Sequence, residues 1–266
     1  MVVDFYKYQG AGNDFVMLDN ISGTYNSLST NNIARLCDRR FGIGADGLLL
    51  LSKDDRFPFR MIYYNQDGSR ASFCGNGARC ICSFAVRQGV VAPNEPFQFI
   101  ADDGSHSAVA FPDRNWVDLL MTPVKTTERV GERAFKINTG VPHYVEFVDN
   151  LDQVDIMAEA PRIRFSNRFA PDGVNVNFVK TIGPSHIAIR TYERGVEAET
   201  LACGTGITAA AIAAAISTNT RHPFLVSARG GDLQVRFNDL GNGAFDDIHL
   251  CGPAHLTFSG HSDNIV

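Results

Sequence analysis

No window of the chain approaches the 18 or so uncharged apolar residues that a membrane-crossing helix needs. The first segment, Met1 to Tyr8, carries Asp4 and Lys7 where a secretory leader has a basic stretch and then an apolar one. A cytoplasmic protein is the expectation. Charge of one sign is also missing: 29 acidic and 24 basic residues are interspersed to a net charge of −5, which favours neither a polybasic nucleic-acid face nor a disordered acidic tail. A small molecule is the expected partner, with no nucleic acid and no membrane. Six cysteines (37, 74, 80, 82, 203 and 251) in 266 residues are too sparse for a disulfide scaffold, and the cytosol keeps such thiols reduced. No Cys-x2-Cys pair occurs, and Cys74-x5-Cys80-x-Cys82 does not have the spacing of common zinc sites, so no metal is expected. With 44% apolar residues, the chain can bury cores of ordinary size without staples.

What is present is a repeated cysteine turn. Phe73-Cys74-Gly75-Asn76-Gly77 returns as Ala202-Cys203-Gly204-Thr205-Gly206, each copy ending a strand-like segment and opening an apolar helical run. The helices are predicted over about Asn76–Gln88 and Thr205–Ser217. A cysteine at such a place sits at the positive end of a helix dipole beside free N–H groups, which favours the thiolate. An anion at the mouth of the turn is held by the same N–H groups, and the glycines let backbone approach it.

The remaining chain reads as strands broken by turns. Strands are predicted over Val2–Tyr8 and Phe15–Asp19, broken by Gly10–Asp14, and over Leu48–Leu51 and Phe59–Tyr64. Ser29 caps a helix predicted over Asn31–Arg40, with Cys37 on its core face. Cys80, Cys82 and Cys251 are likewise read as core. Strands with turns at Asp103-Gly104 and Pro112-Asp113 run through Trp116–Met121, and the pattern restarts near Phe135. The glycine loop Gly42-Ile43-Gly44 precedes a strand and lacks Gly-Lys-Ser/Thr, so it is not read as a phosphate loop.

Cys203 minus Cys74 is 129, and other residues repeat at that offset without gaps. Phe15-Val16 maps onto Tyr144-Val145, Gly44 onto Gly173, Tyr63 onto Tyr192, and Gly77 onto Gly206. The fold class expected is therefore α+β, with two pseudo-symmetric strand-rich halves, each carrying a central helix, and an active site in the cleft between them. Inverting a carbon that bears an acidic hydrogen needs one group to take the proton from one face and another to return one on the opposite face, and a thiolate with a thiol meets that need. The N–H groups of Gly75, Asn76, Gly204 and Thr205 suit an α-carboxylate and the charge developing on it. A thiol-disulfide protein, with a bridge between Cys74 and Cys203, is the alternative from another class.

On these residues the chain resembles the diaminopimelate epimerases over essentially its whole length. The resemblance rests on Gly10–Phe15, Arg40–Gly47, Asn65–Ser69, Cys74–Cys80, Pro142-His143, Gly173–Asn175, Tyr192–Gly195 and Cys203–Gly206. It implies a cofactor-independent epimerase interconverting LL- and meso-2,6-diaminopimelate, in lysine and peptidoglycan-precursor synthesis. A homodimer is expected. Cys74 and Cys203 would be the acid/base groups, and Gly75, Asn76, Gly204 and Thr205 would bind the α-carboxylate. Asn13, Asn65, Asn175, Glu193 and Arg194 would make the polar contacts, and His143 and Glu193 would tune the cysteines. Arg194 suits a distal carboxylate and Glu193 an ammonium. The resemblance also implies that the C-terminal segment returns to the first half, giving residues 1–118 with 253–266, and 119–252. Proline racemases and hydroxyproline epimerases share the fold and the cysteine pair, but typically have histidine where Asn76 stands. Two positions depart from the pattern: Gly47 stands where many members have glutamine, and Val141 where many have asparagine.

The duplicated cysteines already supply both proton-transfer groups. Dialysis against a chelator should therefore leave turnover unchanged, and activity that is lost and then restored by a divalent ion would contradict this.

Overall fold

The computed structural model describes residues 2–220 and 223–262; Met1, residues 221 and 222, and residues 263–266, all within the expected halves, lie outside them. The chain divides into two compact units, Met1–Leu119 with Gly252–Val266, and Leu120–Cys251.

The first unit opens with the hairpin β1 (Val3–Gly10) and β2 (Asn13–Asn20), turning through Ala11-Gly12. Helix α1 (Thr30–Cys37) follows, and Ser29 caps it in a reciprocal pair of bonds with Asn32. The helix stops at Cys37 rather than at the expected Arg40. Asp38 is extended there, and its carboxylate accepts the N–H groups of both Arg40 and Phe41 at 2.7 Å, which turns the chain away. The glycine loop after it packs on the end of α1: the N–H groups of Ile43 and Gly44 bond the Leu36 carbonyl, and that of Ala45 the Cys37 carbonyl. Those donors are therefore occupied, in keeping with the reading that this is no phosphate loop.

Strands β3 (Gly47–Ser52), β4 (Arg60–Asn65) and the short β5 (Arg70–Ala71) lead to α2 (Gly75–Arg87), which starts one residue earlier than expected. Strands β6 (Pro96–Ala101), β7 (Gly104–Phe111) and β8 (Trp116–Leu120) complete the sheet, and the last strand of the chain, β18 (His255–Ser262), lies antiparallel on the outer side of β1. The strand order is β18-β1-β2-β3-β4-β6-β7-β8, with β2–β3 and β4–β6 parallel. Helix α2 packs on β1, β2, β3 and β7, and α1 covers β3 with Ile33, Leu36 and Cys37 against Val16, Leu18, Leu48 and Leu50.

The second unit repeats this plan. Strands β9 (Thr127–Arg129), β10 (Ala134–Asn138) and β11 (Pro142–Phe147) precede α3 (Ile156–Arg164), then β12 (Asn175–Gly183), β13 (His186–Glu193) and the short β14 (Ala198–Thr200) lead to α4 (Gly204–Thr218). Strands β15 (Phe224–Ala228), β16 (Gly231–Gly241) and β17 (Ala244–Pro253) follow. The order β9-β10-β11-β12-β13-β15-β16-β17, with β11–β12 and β13–β15 parallel, is that of the first unit, β9 standing where β18 stands there.

The offset of 129 holds for the starts of β11 and α4 relative to β2 and α2, and for the parallel ladder: Phe15 faces Gly47 as Tyr144 faces Val176. It fails in the next hairpin. Gly47 faces Asn65, but Val176 faces Tyr192, so Arg194 lies beyond the strand end and is not the ladder counterpart of Asn65. Between Ser52 and its partner Arg60 lie seven residues, and between Thr181 and its partner Ile187 only five, so the shorter β12–β13 connection displaces the pairing.

Leu18→Ala, at a fully buried position of the first core, should lower stability by about 2–5 kcal/mol, whereas Ser29→Ala, removing only a cap, should cost about 1 kcal/mol in urea unfolding. Equal losses would mean that the cap, not the core, organises this unit.

Candidate active site

In both units the cysteine is the N-cap of the buried central helix, in extended backbone, and in neither does its side chain cap the helix. The first N–H groups of a helix have no intrahelical acceptor, so each turn offers donors at the positive end of the dipole. Cys74 is half-buried and Cys203 buried. Elsewhere burial pushes the Cys37 and Cys80 thiols up to about 12 and raises Cys82 well above its ordinary value.

Around Cys74 the polar groups form one connected set. The Cys74 thiol donates to Asn13 Oδ1 at 3.6 Å, and Asn76 Nδ2 reaches the same oxygen at 3.5 Å. Asn13 Nδ2 donates to Asp46 Oδ2 at 2.6 Å, and Arg39 holds the other oxygen of Asp46 at 2.8 Å. The fully buried Arg79 donates to Asn76 Oδ1 at 2.9 Å and reaches the Pro253 carbonyl. Burial alone would raise the Asp14 carboxyl, but hydrogen bonds from Arg39 and Lys7 hold it well below the usual range. Asn65 is the last residue of β4, its amide donating to Ser69 Oγ at 3.1 Å.

Around Cys203 the neighbours are different. Thr205 Oγ1 lies 3.4 Å from Cys203 Sγ and 3.0 Å from His143 Nε2, while the Thr139 hydroxyl donates to the Thr205 carbonyl. His143 Nδ1 meets Asn177 Nδ2 at 3.1 Å, and Asn177 is held by the Tyr144 carbonyl and the Thr191 hydroxyl. His143 is fully buried, and this burial, with the Arg194 charge, lowers its pKa to about 3. Burial raises the Glu193 carboxyl. Asn175 Oδ1 accepts the Arg194 N–H at 2.8 Å, fixing the end of β13 and the start of the turn.

The structure thus gathers Asn13, Cys74, Gly75 and Asn76 in the first unit, and His143, Cys203, Gly204 and Thr205 in the second; Asn175, Glu193 and Arg194 cluster at the β12 and β13 ends. Sequence reasoning passed over Asp46 as a partner of Asn13, Arg79, Asn177 and Thr191. The signal for Asn177 was the alternation in Asn175-Val176-Asn177, which puts both amides on one face of a strand. Both departures have a structural side. A Cβ at Gly47 would stand 2.7 Å from the Tyr63 ring and 3.4 Å from its hydroxyl, so Tyr63 fills the volume that a longer side chain would need. Val141 lies in the loop between β10 and β11, where its carbonyl accepts the Thr139 N–H. Gly206 is the counterpart case: a Cβ there would lie 2.5 Å from Asn177 Oδ1 and 3.3 Å from the His143 ring, so the polar chain needs this glycine.

The family model described as diaminopimelate epimerase matches residues 5–127 and 135–254. The chain is 45% identical over 257 residues to the diaminopimelate epimerase of Flavobacterium psychrophilum, covering 95% of this chain and 97% of the relative. It is 36% identical over 276 residues to that of Aquifex aeolicus, with 97% of each chain covered. Among solved structures it resembles a Bacillus anthracis phenazine biosynthesis protein of the PhzF family, with a TM-score of 0.76 at 13% identity and 99% of each chain covered. A hydroxyproline epimerase from Agrobacterium vitis matches with a TM-score of 0.64 at 15% identity, over 100% of this chain and 93% of that one. Identities this low carry the fold alone.

A histidine in an unfolded chain titrates near pH 6.5, against about 3 for folded His143, so above pH 6.5 the residue contributes nothing to the pH dependence of stability. As pH falls from about 6.5 towards 3, the unfolded chain takes up a proton that the folded one refuses, and stability should fall by up to about 1.4 kcal/mol per pH unit. Ring NMR should show His143 neutral throughout pH 5–8; a midpoint near 6.5 would contradict the buried neutral form.

Proposed function

The chain belongs to the diaminopimelate epimerase family, and from that premise we propose that Cys74 and Cys203 are the two acid/base groups with which it interconverts LL- and meso-2,6-diaminopimelate. The observation that carries the assignment is that two units of one topology each place a single cysteine at the N-cap of their central helix. The hydrogen on the substrate's α-carbon is only weakly acidic, and its removal leaves charge on the adjoining carboxylate. Backbone N–H groups of Gly75, Asn76, Gly204 and Thr205, aimed at that carboxylate, would stabilise the charge as it develops, an electrostatic contribution that needs no rearrangement at the moment of reaction. One thiolate removes the proton from one face, and the other thiol delivers a proton to the opposite face, so each turnover inverts the carbon and exchanges the protonation states of the two sulfurs.

Recognition of the distal end falls in this reading to Asn13, Asn65, Asn175, Glu193 and Arg194, with Arg194 for the carboxylate and Glu193 for the ammonium. Neutral, buried His143 tunes Cys203 through Thr205. No cofactor and no metal enter the scheme. The reading extends to a homodimer acting in the cytoplasm on the way to lysine and peptidoglycan precursors. No helix among the described residues is long and apolar enough to cross a membrane. A proline racemase-like activity has only the shared fold in its favour.

Purified protein given LL-diaminopimelate should form the meso isomer, followed by chiral chromatography. Cys74→Ala and Cys203→Ala should each lower the rate by at least about 10²–10⁴-fold, the usual cost of a positioned acid or base, while Cys80→Ala and Cys82→Ala alter mainly stability. Near-normal epimerisation by either of the first two variants would sink the assignment.

A further inference from the structure

We propose that the resting enzyme holds Cys203 as the thiolate and Cys74 as the thiol, and that Asn177 and Thr191 are positioning residues that set this polarity. The proposal rests on the two-cysteine reading above and decides what that reading leaves open. Both cysteines stand at helix N-termini, so the helix dipoles favour a thiolate at each and cannot choose between them. Their side-chain partners can.

At Cys203 the direction of each bond as far as Thr205 follows from groups without a choice. The Tyr144 carbonyl only accepts, so the Asn177 atom 2.8 Å away must be its NH₂, and the Thr191 hydroxyl donates to Asn177 Oδ1 at 2.9 Å. The same NH₂ faces His143 Nδ1 at 3.1 Å, which must then be the bare nitrogen, leaving the proton on Nε2. Nε2–H donates to Thr205 Oγ1 at 3.0 Å, which takes one of its lone pairs and leaves its O–H free to donate to Cys203 Sγ at 3.4 Å, the direction that a thiolate there requires. The sulfur at the end of this chain faces a hydroxyl able to donate, and the species that accepts it best is the thiolate.

At Cys74 the polarity is reversed. The Asp46 carboxylate, held by Arg39, only accepts, so Asn13 turns its NH₂ to it at 2.6 Å and its oxygen to the sulfur. Asn76 agrees: its oxygen is taken by Arg79 at 2.9 Å, so its NH₂ points at the same Asn13 oxygen. Cys74 faces an acceptor at 3.6 Å, and only a thiol can donate to it. The residue that matches His143 at the offset of 129 is Asp14, whose carboxylate is bound to Lys7 and Arg39.

The charged and titratable groups around the second chain are His143 on β11 and Glu193 and Arg194 at the end of β13. Around the first they are Lys7, Asp14, Arg39, Asp46 and Arg79, with the buried thiols of Cys37 and Cys80, which burial keeps protonated. From this resting state Cys203 takes the α-proton and becomes a thiol while the Cys74 thiol gives its proton and becomes a thiolate; proton exchange with solvent or a reverse turnover restores the start.

Thiolates absorb in the ultraviolet where thiols do not, which reads the state without turnover and without reagent access. At neutral pH, substrate-free Cys74→Ala should keep the thiolate band and Cys203→Ala should lose it. The opposite pattern, a band in both variants or in neither, overturns the proposal. Thr191→Val should cut the Cys203 thiolate about tenfold at neutral pH, by weakening the chain that ends in a hydrogen bond to a charged acceptor, and Thr191→Ser should restore it. A Thr191→Val protein that loses stability but keeps the band would show a merely structural residue and overturn the positioning role. A reversed band pattern with both cysteines still essential defeats this inference alone, whereas epimerisation surviving the loss of either cysteine defeats the two-cysteine reading beneath it.

Discussion

A helix that is apolar on every side has to be enclosed, and α4 is: Ile207 to Ala215 are all buried, and the helix packs on strands β10 to β13 and on β15 and β16. Enclosure fixes both where the helix can start and what surrounds that start. Its N-terminus must be reached by a strand-like segment, and the residue at that junction is Cys203. Because the walls are protein, the dipole and the first-turn N–H groups act there with little dilution by water. Helix α2 meets the same demand with a less uniform surface, carrying the buried Arg79 that ties Asn76 and the Pro253 carbonyl.

Two enclosed helices of one plan would give two equivalent thiols, and inversion of a carbon cannot be done by two groups in the same state. The difference between the units lies in small polar side chains, not in the fold. The first unit lines its helix start with an amide oxygen fixed by an aspartate and arginines, and the second with a hydroxyl fixed by a neutral imidazole and a buried amide. Gly206 shows how closely the second arrangement is packed, since one added methyl would displace the Asn177 oxygen.

Much of this was legible in the sequence. The cysteine turns, the strands and the offset of 129 are properties of local pattern and spacing, and the recurrence of α2 and α4 followed from Cys-Gly-x-Gly before an apolar run. The early end of α1 was not, because an Asp38 carboxylate taking two N–H groups competes with a helical pattern that periodicity alone would extend. Nor was the slip between Asn65 and Arg194, since a β12–β13 connection two residues shorter than the β3–β4 one moves the ladder while the cysteines keep their offset. The partners of the cysteines were only half legible. His143 and Asn13 stood out as motif residues, but Asn177 and Thr191 lie on neighbouring strands whose pairing no local pattern reveals.

The central claim is that two groups, not one, handle the proton. Pure protein incubated with LL-diaminopimelate in deuterated water and sampled at early conversion tests it most directly. The account predicts deuterium at the inverted α-carbon of the meso product from the first turnovers, with the recovered LL isomer unlabelled. Deuterium entering the recovered LL isomer as fast as product forms would mean that one group removes and returns the proton on the same face, and would contradict the account.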